Sequence, residues 1–189
     1  MAHILLIDAH PDKKEGHLVH ALADAYEEGA SEDNDVRRIN VSDLRFPILH
    51  SPEDWLHRKP PVAIREAQQD ILWADHLAFF YPLWLGDMPA LLKGFLEQVA
   101  RPGFAIDMSK GFPRKLLTGR SARIVVTMGM PALFYRLVYR AHSLKSLKRN
   151  ILNFAGITPV RATVVGGVDS ETARHRALAE MAVLGRRGR

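Results

Sequence analysis

Along the whole chain, apolar runs of strand length alternate with amphipathic segments of helix length, and this alternation limits the fold more than any other feature. The first run, Ile4, Leu5, Leu6 and Ile7, is continuously aliphatic and is stopped by Asp8, Ala9, His10, Pro11 and Asp12. A strand buried on both faces of a parallel sheet has this pattern. Leu18, Leu22 and Tyr26 then recur four residues apart, with Val19, Ala23 and Ala25 beside them and Asp24, Glu27 and Glu28 opposite. That spacing predicts a helix ending near Gly29. Further strands are expected at residues 36–41, 76–81, 122–127 and 160–165. Further helices are expected at residues 61–73, 88–100, 144–154 (closed by Gly156) and 171–184. In the third of the five helices Asp87 stands where an N-cap belongs and Pro89 falls in the first turn. Five strands alternating with five helices predict a parallel α/β sheet covered on both faces.

At 189 residues and 21.2 kDa, with no internal repeat or linker, the chain reads as one domain over 1–189 whose residues 185–189 form a frayed basic end. Two irregular stretches remain, 42–60 and 101–120, and connections of that length are usually functional or make contacts outside the protomer. The absence of cysteine excludes disulfide frameworks, thiolate metal sites and cysteine nucleophiles together. No apolar stretch reaches the length of a membrane span and no leader pattern opens the chain, so a soluble, cytoplasmic protein is expected.

The net charge of +5 conceals an asymmetry. Residues 1–100 hold nine Lys/Arg against 17 Asp/Glu, a balance of −8, whereas residues 101–189 hold 17 against four, a balance of +13. A basic half raises the question of nucleic acid. Its cations, however, are scattered between apolar segments, with no recognised motif or aromatic platform, so no nucleic-acid partner is expected.

In an open parallel sheet, ligands bind beyond the carboxyl ends of the strands. There the sequence places Asp8 to Asp12, then Pro82, Leu83, Trp84, Leu85, Gly86 and Asp87, then Met128, Gly129, Met130 and Pro131, and finally Gly166 and Gly167. No G-x-G-x-x-G, P-loop or G-x-S-x-G pattern occurs, which argues against a dinucleotide-fold dehydrogenase, a P-loop enzyme and an α/β-hydrolase. His10, His17 and His20 with Asp12 would suit a metal in residue type, but no second cluster supports them and no metal is expected.

His10-Pro11 after the first strand, the run from Tyr81 through Trp84-Leu85-Gly86-Asp87-Met88-Pro89 to Phe95, and Pro102-Gly103-Phe104-Ala105 together resemble the NAD(P)H:quinone oxidoreductase family of flavodoxin-like flavoproteins. The likeness runs from about Ile4 to Val168. It implies a flavodoxin-like three-layer sandwich with a five-stranded parallel sheet of order 2-1-3-4-5, binding FMN, or FAD in some members, usually as a homodimer. It also implies hydride transfer from NADPH or NADH and ping-pong reduction of a quinone-like acceptor. On this reading His10, His17 and Leu18 meet the flavin phosphate at a helix N-terminus. Pro82, Leu83, Trp84 and Leu85 line the ring, and Thr127, Met128 and Gly129 run along its pyrimidine edge. Tyr135 and His142 stand at the spacing of a tyrosine and histidine that settle charge during hydride transfer, in a segment, residues 134–139, that reads as aromatic-rich and mobile.

The chain departs from the family pattern in two places. Lys13-Lys14-Glu15-Gly16-His17 replaces a hydroxyl-bearing phosphate loop, and Met130 replaces a second glycine. Arg136, Arg140 and Arg149 on the basic flank are candidates to steer a dinucleotide phosphate. The alternative within the same likeness is a regulatory subunit resembling the ancillary proteins of potassium-efflux systems, docking through residues 101–120.

Overall fold

The five expected strands all form, and they pair in one parallel sheet. In the computed structural model, which describes residues 1–109 and 111–188, the order along the chain is β1 (His3–Asp8), α1 (Leu18–Ala30), β2 (Asp35–Asn40), α2 (Pro52–Leu56), α3 (Val62–Trp73), β3 (His76–Pro82) and α4 (Ala90–Val99). There follow β4 (Ile106–Asp107), β5 (Arg114–Lys115), β6 (Ser121–Met128), α5 (Ala132–Leu137), α6 (His142–Ser146), a π-helical stretch (Leu147–Leu152), α7 (Asn153–Ala155), β7 (Val160–Gly166) and α8 (Glu171–Arg186). The sheet order is β2-β1-β3-β6-β7, which is 2-1-3-4-5 when its own strands are counted. β4 and β5 pair separately as a two-residue antiparallel ladder.

Alternation within each strand sends side chains to both faces, so the apolar runs build two cores. Leu5 and Ile7 of β1 join Phe79 and Tyr81 of β3 and Ile124 and Val126 of β6 under α3, α4 and the helical stretch that ends in α7. Ile4 and Leu6 join Phe80, Val125 and Val165 under α1 and α8. The central strand β3 is buried along its whole length, as a strand covered on both faces must be. Each large aliphatic or aromatic side chain so buried contributes about 1.5–3 kcal/mol.

The cover helices α1 and α8 meet almost backbone to backbone. A Cβ on Gly29 would lie 2.2 Å from the Ala182 carbonyl oxygen, and one on Gly185 would lie 2.1 Å from that of Tyr26. Gly185 and Arg186 therefore complete α8 and do not fray; Arg187 and Gly188 form a closing turn, and Arg189 lies outside the described residues.

Other expectations need correction. α4 begins at Ala90 behind Pro89, and Asp87 does not cap it. Asp87 instead closes a tight turn, exchanging backbone hydrogen bonds of 2.9 Å with Trp84 and accepting from the Met88 amide at 2.7 Å. The irregular stretch 42–60 is strapped to the end of α4: Gln98 Nε2 donates to the Pro47 carbonyl at 2.7 Å, and the buried Arg101 donates to the carbonyls of Asp54 and Arg58 at 2.6 and 2.5 Å. These links hold it against its own protomer. Residues 134–137 belong to α5, with Tyr135 fully buried.

Candidate functional site

The carboxyl ends of β1, β3 and β6 converge on one edge of the sheet. At the first, Asp8 is almost wholly buried, and its carboxylate accepts from Arg38 at 2.7 Å, from His20 Nδ1 at 2.6 Å and from the His10 amide at 3.2 Å. His20 Nε2 lies 2.9 Å from the Asp12 carbonyl. Both neighbours of that ring are acceptors, so it donates from both nitrogens. Burial disfavours its charged form, but the Asp8 carboxylate and the Asp12 carbonyl outweigh burial and raise its pKa above the ordinary histidine value. Asp8 thus ties β1, β2 and α1 together directly behind the β1–α1 loop.

His10 is buried, and its Nδ1 lies 3.1 Å from the Asp12 amide, from which it accepts in the tautomer protonated at Nε2, and 3.0 Å from the Asp12 carbonyl, to which it donates in the other tautomer. Burial first, and then the nearby His17 and His20, lower its pKa, so the ring is neutral at pH 7. Its Nε2 has no partner among the described residues. His17 stacks on it, ring centroids 3.9 Å apart, and reaches Asp12 Oδ2 at 3.0 Å. That bond holds Asp12 below the usual carboxylate range. Asp12 therefore faces a histidine and not the open mouth of the loop. His17 is also the N-cap of α1 and makes no side-chain capping bond, so the amides of Leu18 and Val19 in the first turn have no partner within the helix. A neutral imidazole, a second imidazole and free amides at the positive end of a 13-residue helix form an anion cradle.

At the second edge, Pro82 and Leu83 are fixed by the Leu83 amide donating to the Thr127 carbonyl at 2.8 Å, which joins the β3 and β6 loops. Trp84 is half exposed and Leu85 fully exposed, with Leu85 in the left-handed region at φ 48° and Gly86 at φ 82°. Two large apolar side chains held out on a rigid turn form an exposed platform. Trp84 stands edge-on to His10, centroids 6.0 Å apart, so platform and cradle are neighbours.

The third edge carries Thr127, Met128 and Gly129. Thr127 and Met128 are buried, and space around Gly129 is open apart from Asp169 Oδ2 at 4.0 Å from a Cβ position. Met130, which replaces a family glycine, packs its side chain against the core, and its carbonyl accepts from the Gly167 amide at 3.1 Å. The substitution is absorbed inward and does not obstruct the edge. Gly166 is required beside it, since a Cβ there would lie 2.3 Å from the Ala132 amide nitrogen.

A family model described as a flavodoxin-like fold matches residues 2–184. The chain belongs to that family. A Haemophilus influenzae protein described as an uncharacterized NAD(P)H oxidoreductase is 28% identical over 170 residues, 87% of this chain and 83% of that one. An FMN-dependent NADH:quinone oxidoreductase of Nitratidesulfovibrio vulgaris is 27% identical over 206 residues, covering 96% and 97% of the two chains. Among solved structures, an NAD(P)H:quinone oxidoreductase from Methanothermobacter marburgensis superposes with a TM-score of 0.85 at 25% identity, over 98% of this chain and 96% of that one.

In this flavodoxin-like chain His10, His17, Leu18, Pro82, Leu83, Trp84, Leu85, Thr127, Met128 and Gly129 all fall on the same carboxyl edge. Tyr135 does not reach it. Its hydroxyl bonds Ser143 Oγ at 2.8 Å and accepts from the Leu144 amide at 3.2 Å, which makes it an anchor between α5 and α6. His142 is exposed at the start of α6. Sequence reasoning missed Tyr139, whose ring would lie 3.6 Å from a Cβ on Gly86. It also missed the Asp8–Arg38–His20 network, of which only an aspartate ending a strand was visible. Among the described residues no group of three or more His, Asp or Glu side chains is arranged to hold a metal, and no helix is long and apolar enough to cross a membrane.

Proposed function

We propose that this protein is an FMN-dependent NAD(P)H oxidoreductase that reduces a quinone-like acceptor. The observation that carries the reading is the junction of an anion cradle at the α1 N-terminus with an exposed apolar platform at Trp84 and Leu85, on the edge where the β1, β3 and β6 loops meet. FMN fits this pair of features: a phosphate at one end, a planar ring at the other. His10, His17 and the amides of Leu18 and Val19 would hold the phosphate. Trp84, Leu85 and the backbone of 127–129 would hold the ring, and free N–H donors of that loop would face negative charge on the reduced ring. When bound, the flavin would supply two-electron chemistry, taking a hydride from the reduced nicotinamide and returning it to the quinone, whose second proton comes from solvent. The chain's own part is to position the ring, polarise its edge and shield one face from water. The relatives described as NAD(P)H or FMN-dependent NADH:quinone oxidoreductases support the same assignment.

Exposed Leu133, Leu137 and Val138, on and just after α5, support a homodimer in which a second copy covers them; light scattering after size exclusion tests it. The cytoplasm, where the nicotinamide pool resides, is the compartment this chemistry implies. The deciding experiment is a visible absorption scan of purified protein with FMN and with FAD, followed by anaerobic NAD(P)H and then a quinone. Flavin uptake, bleaching by the nicotinamide and recovery of colour on adding quinone are expected. Failure to take up either flavin overturns the proposal.

A further inference from the structure

The segment after α5 brings a second charged feature close to the platform. Arg140 and Ala141 both lie in the left-handed region, at φ 52° and 48°, an uncommon arrangement for two consecutive residues other than glycine. The bend sets Tyr139 against Gly86 and sends the chain onward into α6. Directly beyond it, Arg140, His142, Lys145, Ser146, Arg149 and Asn150 enclose an open basin of about 210 Å³.

Some cations of the molecule are neutralised locally. Arg37, Arg38, Arg114 and Arg186 are each matched to a carboxylate. The side chains of Arg140, Lys145 and Arg149 make no ion pair or hydrogen bond among the described residues. No acidic residue occurs anywhere in the sequence between Asp107 and Asp169. An open basin with three unmatched cations, a histidine and two small polar side chains has the donor set of a site for a dianionic phosphate. Arg140 directly follows Tyr139, and the half-exposed rings of Phe134 and Tyr139, edge to face with centroids 6.0 Å apart, give an apolar wall for a purine.

We infer that this basin binds the 2′-phosphate of NADPH, and so makes the protein select NADPH over NADH. The inference rests on the function proposed above for the identity of the reaction, but the basin is a separate structure from the flavin cradle. Its position decides among anions: it lies one residue beyond the side chain that packs on the platform turn. A dinucleotide with its nicotinamide over the platform and its adenine on Phe134 and Tyr139 ends there. NADH lacks the group that the cations would hold.

The test compares kcat/KM for NADPH and NADH on flavin-loaded natural protein and on Lys145→Gln and Arg149→Gln, with circular dichroism as the check of folding. In parallel, NADP⁺ and NAD⁺ are titrated calorimetrically without any electron acceptor. We expect an NADPH preference that falls about tenfold for each cation removed, expressed in KM, with the same loss in the NADP⁺ titration. Rising salt should shrink the preference. Equal kcat/KM for the two donors in the natural protein, or equal losses for both donors in the variants, overturns the inference while leaving the oxidoreductase reading intact. If no flavin binds and no hydride moves, the titration still decides: stronger binding of NADP⁺ than NAD⁺, lost in Arg149→Gln, upholds the basin, and equal binding overturns it.

Discussion

Replacing Asp8 by alanine removes three interactions at one buried point: the acceptor for Arg38 at 2.7 Å, for His20 Nδ1 at 2.6 Å and for the His10 amide at 3.2 Å. Breaking a buried ion pair by deleting one partner costs about 3–5 kcal/mol. Arg38 keeps Asp24 and Glu27 as partners, so it is not left bare and the cost falls near the lower limit. A loss of about 3 kcal/mol lowers Tm by about 6–12 °C in a domain of this size. The pH dependence has a definite sign. His20 has a raised pKa in the folded protein, against an ordinary value of 6.5, because Asp8 and Asp12 favour its charged form more than burial opposes it. The stability it contributes is complete below the ordinary value and disappears as pH rises through the raised one. The gap between natural protein and Asp8→Ala is therefore wider at about pH 6 than at about pH 9. Urea unfolding followed by tryptophan fluorescence at the two pH values measures it. A loss below about 1 kcal/mol, well under the cost of breaking a buried pair, or a loss equal at both pH values, would refute the reasoning.

Three further outcomes are expected. Leu85→Asn should change the stability of the flavin-free protein by less than about 0.5 kcal/mol, because the side chain is fully exposed and asparagine tolerates its φ of 48°. The same variant should release FMN about tenfold more readily, as read by fluorescence titration, through lost apolar contact with the ring. His10→Ala should weaken FMN by about tenfold while leaving riboflavin, which lacks the phosphate, unaffected; parallel titrations of the two separate a phosphate contact from a general loss of the loop. Gly166→Ala should destabilise the protein by about 1–3 kcal/mol in thermal melts, since its Cβ would fall within 2.9 Å of backbone atoms of Met130 and Ala132 and one of the two loops must move.

The sheet was legible because its strands are short apolar runs, and sheet-face burial forces that composition. The platform was legible too, since Trp84, Leu85 and Gly86 belong to a long motif that local composition alone would assign to the core. Elements whose stability comes from distant partners were not legible. Arg101 looks like one cation of a basic half until Asp54 and Arg58 fold back onto it, more than 40 residues away in sequence. Asp8 shows nothing of Arg38 or His20 in its neighbours. Tyr135 sits in a run where Leu133, Phe134, Leu137 and Val138 are also apolar, so spacing cannot say which one turns inward; the structure buries Tyr135 alone and leaves the rest exposed. α2 could have been found, for Ser51-Pro52-Glu53-Asp54 carries an N-cap serine whose side chain accepts from the Asp54 amide.

The contact of α1 with α8 through Gly29 and Gly185 sets an order of events in synthesis. α1 presents the phosphate cradle at its N-terminus and emerges from the ribosome early. The helix that covers its back, closing the core around Leu22, Tyr26 and Met181, consists of 16 residues near the end of the chain. Until those residues emerge, the part of that sheet face which α8 covers lies open, and α1 is seated on β1, β2 and β3 without its partner helix. The nascent chain is therefore a client for whatever shields apolar surface while the last helix is awaited.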